Sequence, residues 1–281
     1  MKGYSIVNVI RIVLFHLSAF LVFYVGYSHL AFLLFLVTFW IRSFAISGGY
    51  HRYFSHRSYQ TTRLFQFFLA LLGTTAGQKG PLSWVTSHRR HHQYADTEKD
   101  PHSPVRKGWL YAHVGWLLKS NALPTGKSIE KEFNGYPEII FLNRFYSLGF
   151  IGYIVGLYLF AQWVNIMFPY MEVSPGRIIV WCGILSTLFI LHGTCLINSI
   201  GHREDQENVD AKDNSRNQLF LYPIALGENW HHNHHKFPSS ANAGVEDGQI
   251  DLVFYQIKML EKLGLVWDVK DAREYLSPAE K

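Results

Sequence analysis

The chain has 281 residues, 48% hydrophobic and 16% aromatic, with two cysteines, fifteen histidines and a net charge of +5. Two cysteines exclude a disulfide framework and a cysteine-built metal site. The positive charge comes without a Lys/Arg-rich tail or an aromatic nucleic-acid motif, so it reads as basic surface facing anionic lipid and not as a nucleic-acid interface.

Long apolar runs alternate with stretches dense in His, Arg, Lys and Asp. A bilayer core takes about 20 residues of helix, and four runs are long enough. The first, 5–27, carries Arg11 and His16, and no small-residue cleavage site follows it, so it reads as a retained span. A tight turn around Gly26 leads to the second, 29–47. Arg42 near its inner end is expected to snorkel to the interface. A shorter apolar stretch, 64–76, reads as a buried or interfacial helix. The third and fourth runs are 146–169 and 177–198. Near the C-terminus, 250–263 is amphipathic, with Leu252, Tyr255, Ile257, Leu260 and Leu263 on one side, and reads as a helix covering the polar part.

Lys and Arg set the expected orientation. The turn after the first span has none, and the connection between spans three and four has only Arg177, whereas 48–144 is rich in both. The expectation is one domain, 1–281: an all-α integral membrane protein with four transmembrane helices, both termini cytoplasmic, and a cytoplasmic helical cap formed by 48–145 and 199–281.

Three histidine clusters fall on that cap. They are His51 with His56, then His88, His91 and His92, then His231, His232, His234 and His235. Positions i, i+3 and i+4 share one helical face, so each H-x-x-H-H can aim three imidazoles at one point. A structural zinc needs only four ligands; this many histidines points to two metal ions with open positions. Imidazole suits Fe, Zn, Cu and Ni alike. The isolated His16, His29 and His102 read as ordinary core or surface residues, and His113 and His192 also as non-ligands.

These residues in their context resemble the membrane fatty acid desaturases, in the stearoyl-CoA (acyl-CoA Δ9) branch and of bacterial type. The resemblance rests on Gly49-Tyr50-His51-Arg52-Tyr53-Phe54-Ser55-His56, Trp84 to His92, Asp100-Pro101-His102, Ala112 to Leu118, Asn198 to His202, Gly227 to His235 and Phe237-Pro238, and covers roughly 48–269. It implies nine histidine ligands to two iron ions: His51, His56, His88, His91, His92, His202, His231, His234 and His235. Asn198, four residues before His202, would approach one metal through water.

The implied reaction uses O2 to put a cis double bond, at Δ9, into a saturated acyl chain; no side-chain base can take hydrogen from an unactivated methylene. Two electrons would come from a separate protein such as ferredoxin, rubredoxin or a b5-type cytochrome, since the chain has no His-Pro-Gly-Gly haem signature. A basic cap would attract an acidic donor. Asp96, Asp100 and Glu228 are candidates to orient the imidazoles. Trp84, Trp116 and Gln78 are expected along the acyl tunnel, and Phe39, sharing a face with Phe35 and Ser43, at its closed end. Arg106 and Lys107 match a basic pair that meets CoA phosphates. The expected substrate is therefore an acyl-CoA in a bacterial inner membrane. Thr86-Ser87, where animal relatives carry Arg-Asp, and Gln78-Lys79-Gly80-Pro81 depart from that branch and leave acyl-carrier protein and glycerolipid open. Acetylene-forming and hydroxylating relatives are rivals within the class. A metal transporter is the rival outside it, disfavoured because the four spans contain no Asp or Glu.

Overall fold

The computed structural model of the chain describes residues 3–119, 126–202 and 213–276. Parts of the expected cap, at 120–125, 203–212 and 277–281, lie outside these. In chain order the elements used below are α1 (Ile6–Val25) and α2 (His29–Ser55), β1 (Gln60–Thr61), α3 (Arg63–Thr75), α4 (Pro81–Tyr94), α5 (Trp109–His113) and α6 (Tyr146–Met167). They continue with α7 (Pro175–Ile200), α8 (Tyr222–Ala225), α9 (His231–Lys236), α10 (Leu252–Lys262) and β2 (Val266–Trp267).

Helices α1, α2, α6 and α7 are each long and apolar enough to cross a membrane. Ser5, Ser28 and Ser174 begin α1, α2 and α7, each accepting a backbone N–H from three residues on, which satisfies one of the orphan donors of a helix start. Gly26, at φ 70°, lets the chain reverse between α1 and α2 in a conformation that a side chain would strain. Helices α2, α6 and α7 share a core through Ala31, Leu157, Ala161, Val164, Ile178 and Cys182. A Cβ at Gly183 would lie 2.6 Å from Ile154 Cδ1, so α6 and α7 approach closely because that position has no side chain. Helix α1 buries no residue.

Arg42 does not snorkel. It is 1% exposed and donates to the carbonyls of Thr75 and Cys182 and to the hydroxyls of Thr75, Ser186 and Thr187. Its guanidinium also lies 4.3 Å from the Tyr153 ring centroid. The reason is local: α7 widens to a π-helix over Ile179–Leu185, Cys182 O lies within this stretch, and the neighbouring hydroxyls supply the remaining acceptors. One cation thus ties α2, α3, α6 and α7 without a carboxylate.

The second core sits in the cap. Tyr50, Phe54, Tyr59, Leu69, Val85, Phe133, Ile139, Val253 and Ile257 pack together, joining α2, α3, α4 and α10. Gly73 admits the Tyr50 ring, whose Cε1 would lie 2.2 Å from a Cβ there. Strands β1 and β2 form a two-residue antiparallel ladder, the one sheet among the described residues and an addition to the expected all-helical fold. The amphipathic C-terminal stretch is α10, which buries Val253 and Ile257 against this core.

Candidate metal centre

The first histidine pair shows how local geometry makes the site. On an α-helix, residues five apart point about 140° away from each other, so His51 and His56 could not serve one ion. Helix α2 becomes a π-helix over Ala45–Ser55, and the His56 N–H donates to His51 O at 3.2 Å. This i→i+5 turn stacks the two imidazoles on one face, their ring centroids 5.1 Å apart. The helix that carries the expected second span, 29–47, runs on to Ser55 and bears the first histidine pair.

The other two clusters do not each aim at one point, as their spacing suggested. Helix α4 sends His88 and His92 to one group and His91 to another, and α9 sends His234 to the first and His231 with His235 to the second. On a helix, i+3 and i+4 diverge by about 100°, so H-x-x-H-H straddles two adjacent points. The first group is His51, His56, His88, His92 and His234; the second is His91, His202, His231 and His235. Within each, one ring nitrogen per residue lies within 4.8 Å of all the others. All nine expected histidines are thus brought together.

The Nε2 atoms face one another: His51–His234 at 2.9 Å, His234–His92 at 2.9 Å and His56–His88 at 2.7 Å. In the second group His202–His231 stand at 3.0 Å and His91–His235 at 3.3 Å. Four of the rings are held from behind through Nδ1. Glu228 meets His51 at 2.8 Å, Asp100 meets His91 at 3.0 Å, Asp96 meets His202 at 2.8 Å and Asp213 meets His235 at 2.6 Å. A carboxylate accepts a hydrogen bond from Nδ1–H, which keeps the proton on Nδ1 and leaves Nε2 as a bare lone pair. Lone pairs converging at these distances repel unless a cation lies between them. With metal–imidazole bonds of about 2.1 Å, two nitrogens at right angles around one ion stand about 3.0 Å apart. The residues fit a pair of metal ions.

Charge in the site points the same way. Burial would raise the Glu228 carboxyl, but His51 and Arg52 hold it down to about 2. Asp96, also buried, is held to about 2 by His202, the Asn214 N–H and Ser103, and Asp100 is likewise lowered, chiefly by His91. Burial and mutual repulsion push His56, His88, His92, His231, His234 and His235 well below the usual imidazole range. These rings stay neutral at pH 7, as ligation requires. Arg52, buried beside His51, also reaches Asp251 at 2.8 Å and fixes Glu228 at 3.0 Å.

A cavity lies against both groups, lined by Ser43, Ile46 and Ser47 of α2, Trp84 of α4, Ile190, Gly193, Thr194, Ile197 and Asn198 of α7, and Ile224 and Ala225 of α8. His51, His88, His91 and His231 form its polar end. Trp84 lines it, and its indole donates to Gln78 Oε1, while Gln78 Nε2 donates to Thr194 Oγ1 at 2.9 Å. Gln78 therefore works from behind the wall. Phe39 packs on Phe35 and Phe189, one turn beyond Ser43. Trp116 stands apart from this cavity, with its ring 5.1 Å from that of His102; the His102 ring itself lies 4.5 Å from that of His91, tilted by 33°. Arg106 Nε donates to Asp96 O, and Lys107 Nζ to Asp100 O, so the basic pair braces the loop that carries two of the carboxylates.

Asp213 was not among the expected residues. It lies in a polar stretch without periodicity, and only its reach to His235 marks it. His202 was reached by resemblance alone, being a single histidine with no spacing signal. His29 bonds Tyr27 Oη at 3.0 Å, and His232 faces Ser215.

Comparison with known proteins agrees with this geometry. The chain is 34% identical over 237 residues, 84% of this chain and 82% of the relative, to an sn-1 stearoyl-lipid 9-desaturase of Anabaena variabilis. It is 36% identical over 252 residues, 84% and 75% of the two chains, to a hex-5-enoyl-acyl-carrier-protein acetylenase of Moorena producens. It is 34% identical over 235 residues, 81% and 67%, to an acyl-CoA 5-desaturase of Anemone leveillei. The sequence profile "Fatty acid desaturase" matches residues 27–243. With its four apolar helices and paired histidine groups, the chain belongs to the membrane fatty acid desaturase family.

Proposed function

We propose that the two histidine groups hold two iron ions and that the enzyme forms a cis Δ9 double bond in a saturated, lipid-bound acyl chain. Nine converging imidazoles beside an apolar cavity carry this reading. His51, His56, His88, His92 and His234 would hold one ion; His91, His202, His231 and His235, with Asn198 through water, the other. Bound there, the irons supply the reduction of O2 that removes two hydrogens from adjacent methylenes, with two electrons from a separate donor such as ferredoxin, rubredoxin or a b5-type cytochrome.

The chain's own groups do the rest. Glu228, Asp96, Asp100 and Asp213 fix ring tautomers, so no ligand must reorient during turnover. Trp84, held by Gln78 and Thr194, presents a rigid apolar face to the acyl chain. Phe39 stops the methyl end, which selects chains shorter than stearoyl. Burial of this cavity keeps bulk water from the reacting methylenes.

The rim supports a lipid-bound carrier. Ile224 both lines the cavity and is 38% exposed, and Leu219 and Phe220 beside it are more exposed still. That apolar rim suits a chain arriving from the bilayer. Arg106 and Lys107 support the second reading, acyl-CoA, but both already give hydrogen bonds to the metal loop. The Lys/Arg distribution favours cytoplasmic termini, in a bacterial inner membrane. The test is expression in a host lacking unsaturated acyl chains, with timed lipid profiling. New cis double bonds appearing first in glycerolipid, and only with O2, are expected. A hydroxylated product, or no O2 dependence, would overturn the reading; first appearance in acyl-CoA would overturn the carrier alone.

A further inference from the structure

The strap at the cavity's rim is held more lightly than the elements around it. It consists of a 3-10 turn, Leu219–Leu221, continued by α8. Leu221 and Ala225 pack with Ile197 of α7 in a small cluster of their own and join neither main core. Among the described residues, the hydrogen bonds of 219–225 close within 218–228: Leu221 N–H to Gln218 O, Leu226 N–H to Tyr222 O and Glu228 N–H to Ala225 O. Its two ends, by contrast, are tied down. Gln218 donates its backbone N–H to Asn229 O at 2.8 Å and its side-chain amide to Ile200 O at 3.2 Å. Leu226 O accepts the Val253 N–H at 3.0 Å, and Leu226 sits at φ 53°, where a residue other than glycine is strained. A segment fixed at both ends and lightly packed between them is the kind that opens locally.

Ile224 is the wall of the cavity at this point. It rests on Gly193, where a Cβ would lie 3.0 Å from Ile224 Cγ2. It lines the cavity and is also 38% exposed, so one side chain separates the cavity from the surroundings. Gly193 is the nineteenth residue of α7, and a bilayer core takes about 20 residues of helix. The contact therefore falls at the edge of the hydrocarbon, on the side of the metal centre. Leu219 and Phe220, beside it on the strap, are 68% and 65% exposed. Two large apolar side chains at this depth are stable in lipid and costly in water.

We propose that Ile224 is a lateral door: the acyl chain of a membrane phospholipid enters the cavity side-on from the hydrocarbon, between the strap and α7, as Ile224 swings off Gly193. The proposal rests on the lipid-bound reading of the carrier and adds the route. Leu219 and Phe220 keep the strap seated in lipid while the door moves. Gly193 lets it shut, because a side chain there would meet Ile224 before the wall closed. Once shut, the door keeps water from the reacting methylenes.

The test is a cross-link. Gly193→Cys with Ile224→Cys, in a Cys195→Ala background, places two thiols across the contact and removes the methyl that would collide. The protein is reconstituted in phosphatidylglycerol vesicles doped with the same lipid carrying a diazirine on its sn-1 chain, photolysed, and the labelled residues are mapped. The reduced form should be labelled at Leu219, Phe220 and Trp84. Oxidation should keep the first two and cut labelling of Trp84 several-fold, and reduction should restore it. Equal labelling of Trp84 in both forms would overturn the door and leave the lipid-bound reading standing. Labelling of Trp84 by a diazirine acyl-CoA and never by phospholipid, in the wild type as well, would overturn that reading and the door with it. A nitroxide on Leu219→Cys keeps the proposal falsifiable if the cross-linked variant misfolds: it should collide with O2 in preference to a water-soluble nickel chelate, and the reverse preference would overturn the seating of the strap in lipid.

Discussion

The two histidine groups differ in a way that equal ligand chemistry would hide. The first has five imidazoles and one carboxylate behind them, Glu228 on His51. The second has four imidazoles and three carboxylates, Asp100, Asp96 and Asp213. His56, His88 and His92 of the first group are partly exposed, whereas His91, His202 and His231 of the second are buried. Charge that is backed and buried holds an ion more firmly than a larger set of neutral rings near the surface. On the proposed reading the second group would be the anchor, and the first the more open, exchangeable position.

The strongest way to break this asymmetry is to remove a ligand from each side. His234 faces both His51 and His92, so His234→Ala should abolish activity and leave one metal per chain. His202→Ala should abolish activity too, but with a larger loss of folded protein, because the buried Asp96 loses one of its three partners. Equal stability of the two variants would remove the distinction. Next in size are the backing carboxylates. Asp100→Asn should weaken metal retention by about 10–100-fold, read as loss of ion during dialysis. Glu228→Gln should cost activity by a similar factor while the second ion stays bound.

Acidification should separate the two kinds of group. The lowered imidazoles are neutral when folded, and the unfolded chain binds protons below about pH 6.5. Their contribution to stability is present above that pH and falls as pH drops below it. Asp96 and Glu228, near 2 in the folded state, contribute above about pH 4 and are lost only as pH falls toward 2. Metal release followed against pH should begin below about 6.5, with the first group's ion leaving first. Release that begins only below pH 4 would assign the hold to the carboxylates alone.

The smallest effects concern the cavity. Thr194→Val removes the nearer of two acceptors for Gln78 and should cost about 1 kcal/mol of stability, measurable in thermal unfolding. Phe39→Ala should move the preferred acyl length upward in a chain-length series. An unchanged optimum would put the closed end elsewhere.

Much of this was legible in the sequence because it is written in short spacings. The four apolar runs correspond to four long helices, and eight of the nine grouped histidines lie in three tight clusters. What could not be read depended on backbone or long-range partners. His51 and His56 share a face only because α2 widens to a π-helix, which residue spacing does not announce. The division of each H-x-x-H-H between two groups needs the relative placement of α4 and α9. Asp213 meets His235 across an irregular stretch, and Arg42 is buried because carbonyls and hydroxyls from two other helices, α3 and α7, accept from it. Each of these is a tertiary event with no local periodicity.

Metal analysis combined with iron spectroscopy on the purified wild type and on His202→Ala and His234→Ala tests the central claim most directly. Two irons per chain in the wild type, coupled in one spectrum and falling to one uncoupled iron in each variant, is the predicted result. A wild type with a single ion, or a variant from either group that keeps two, would contradict it.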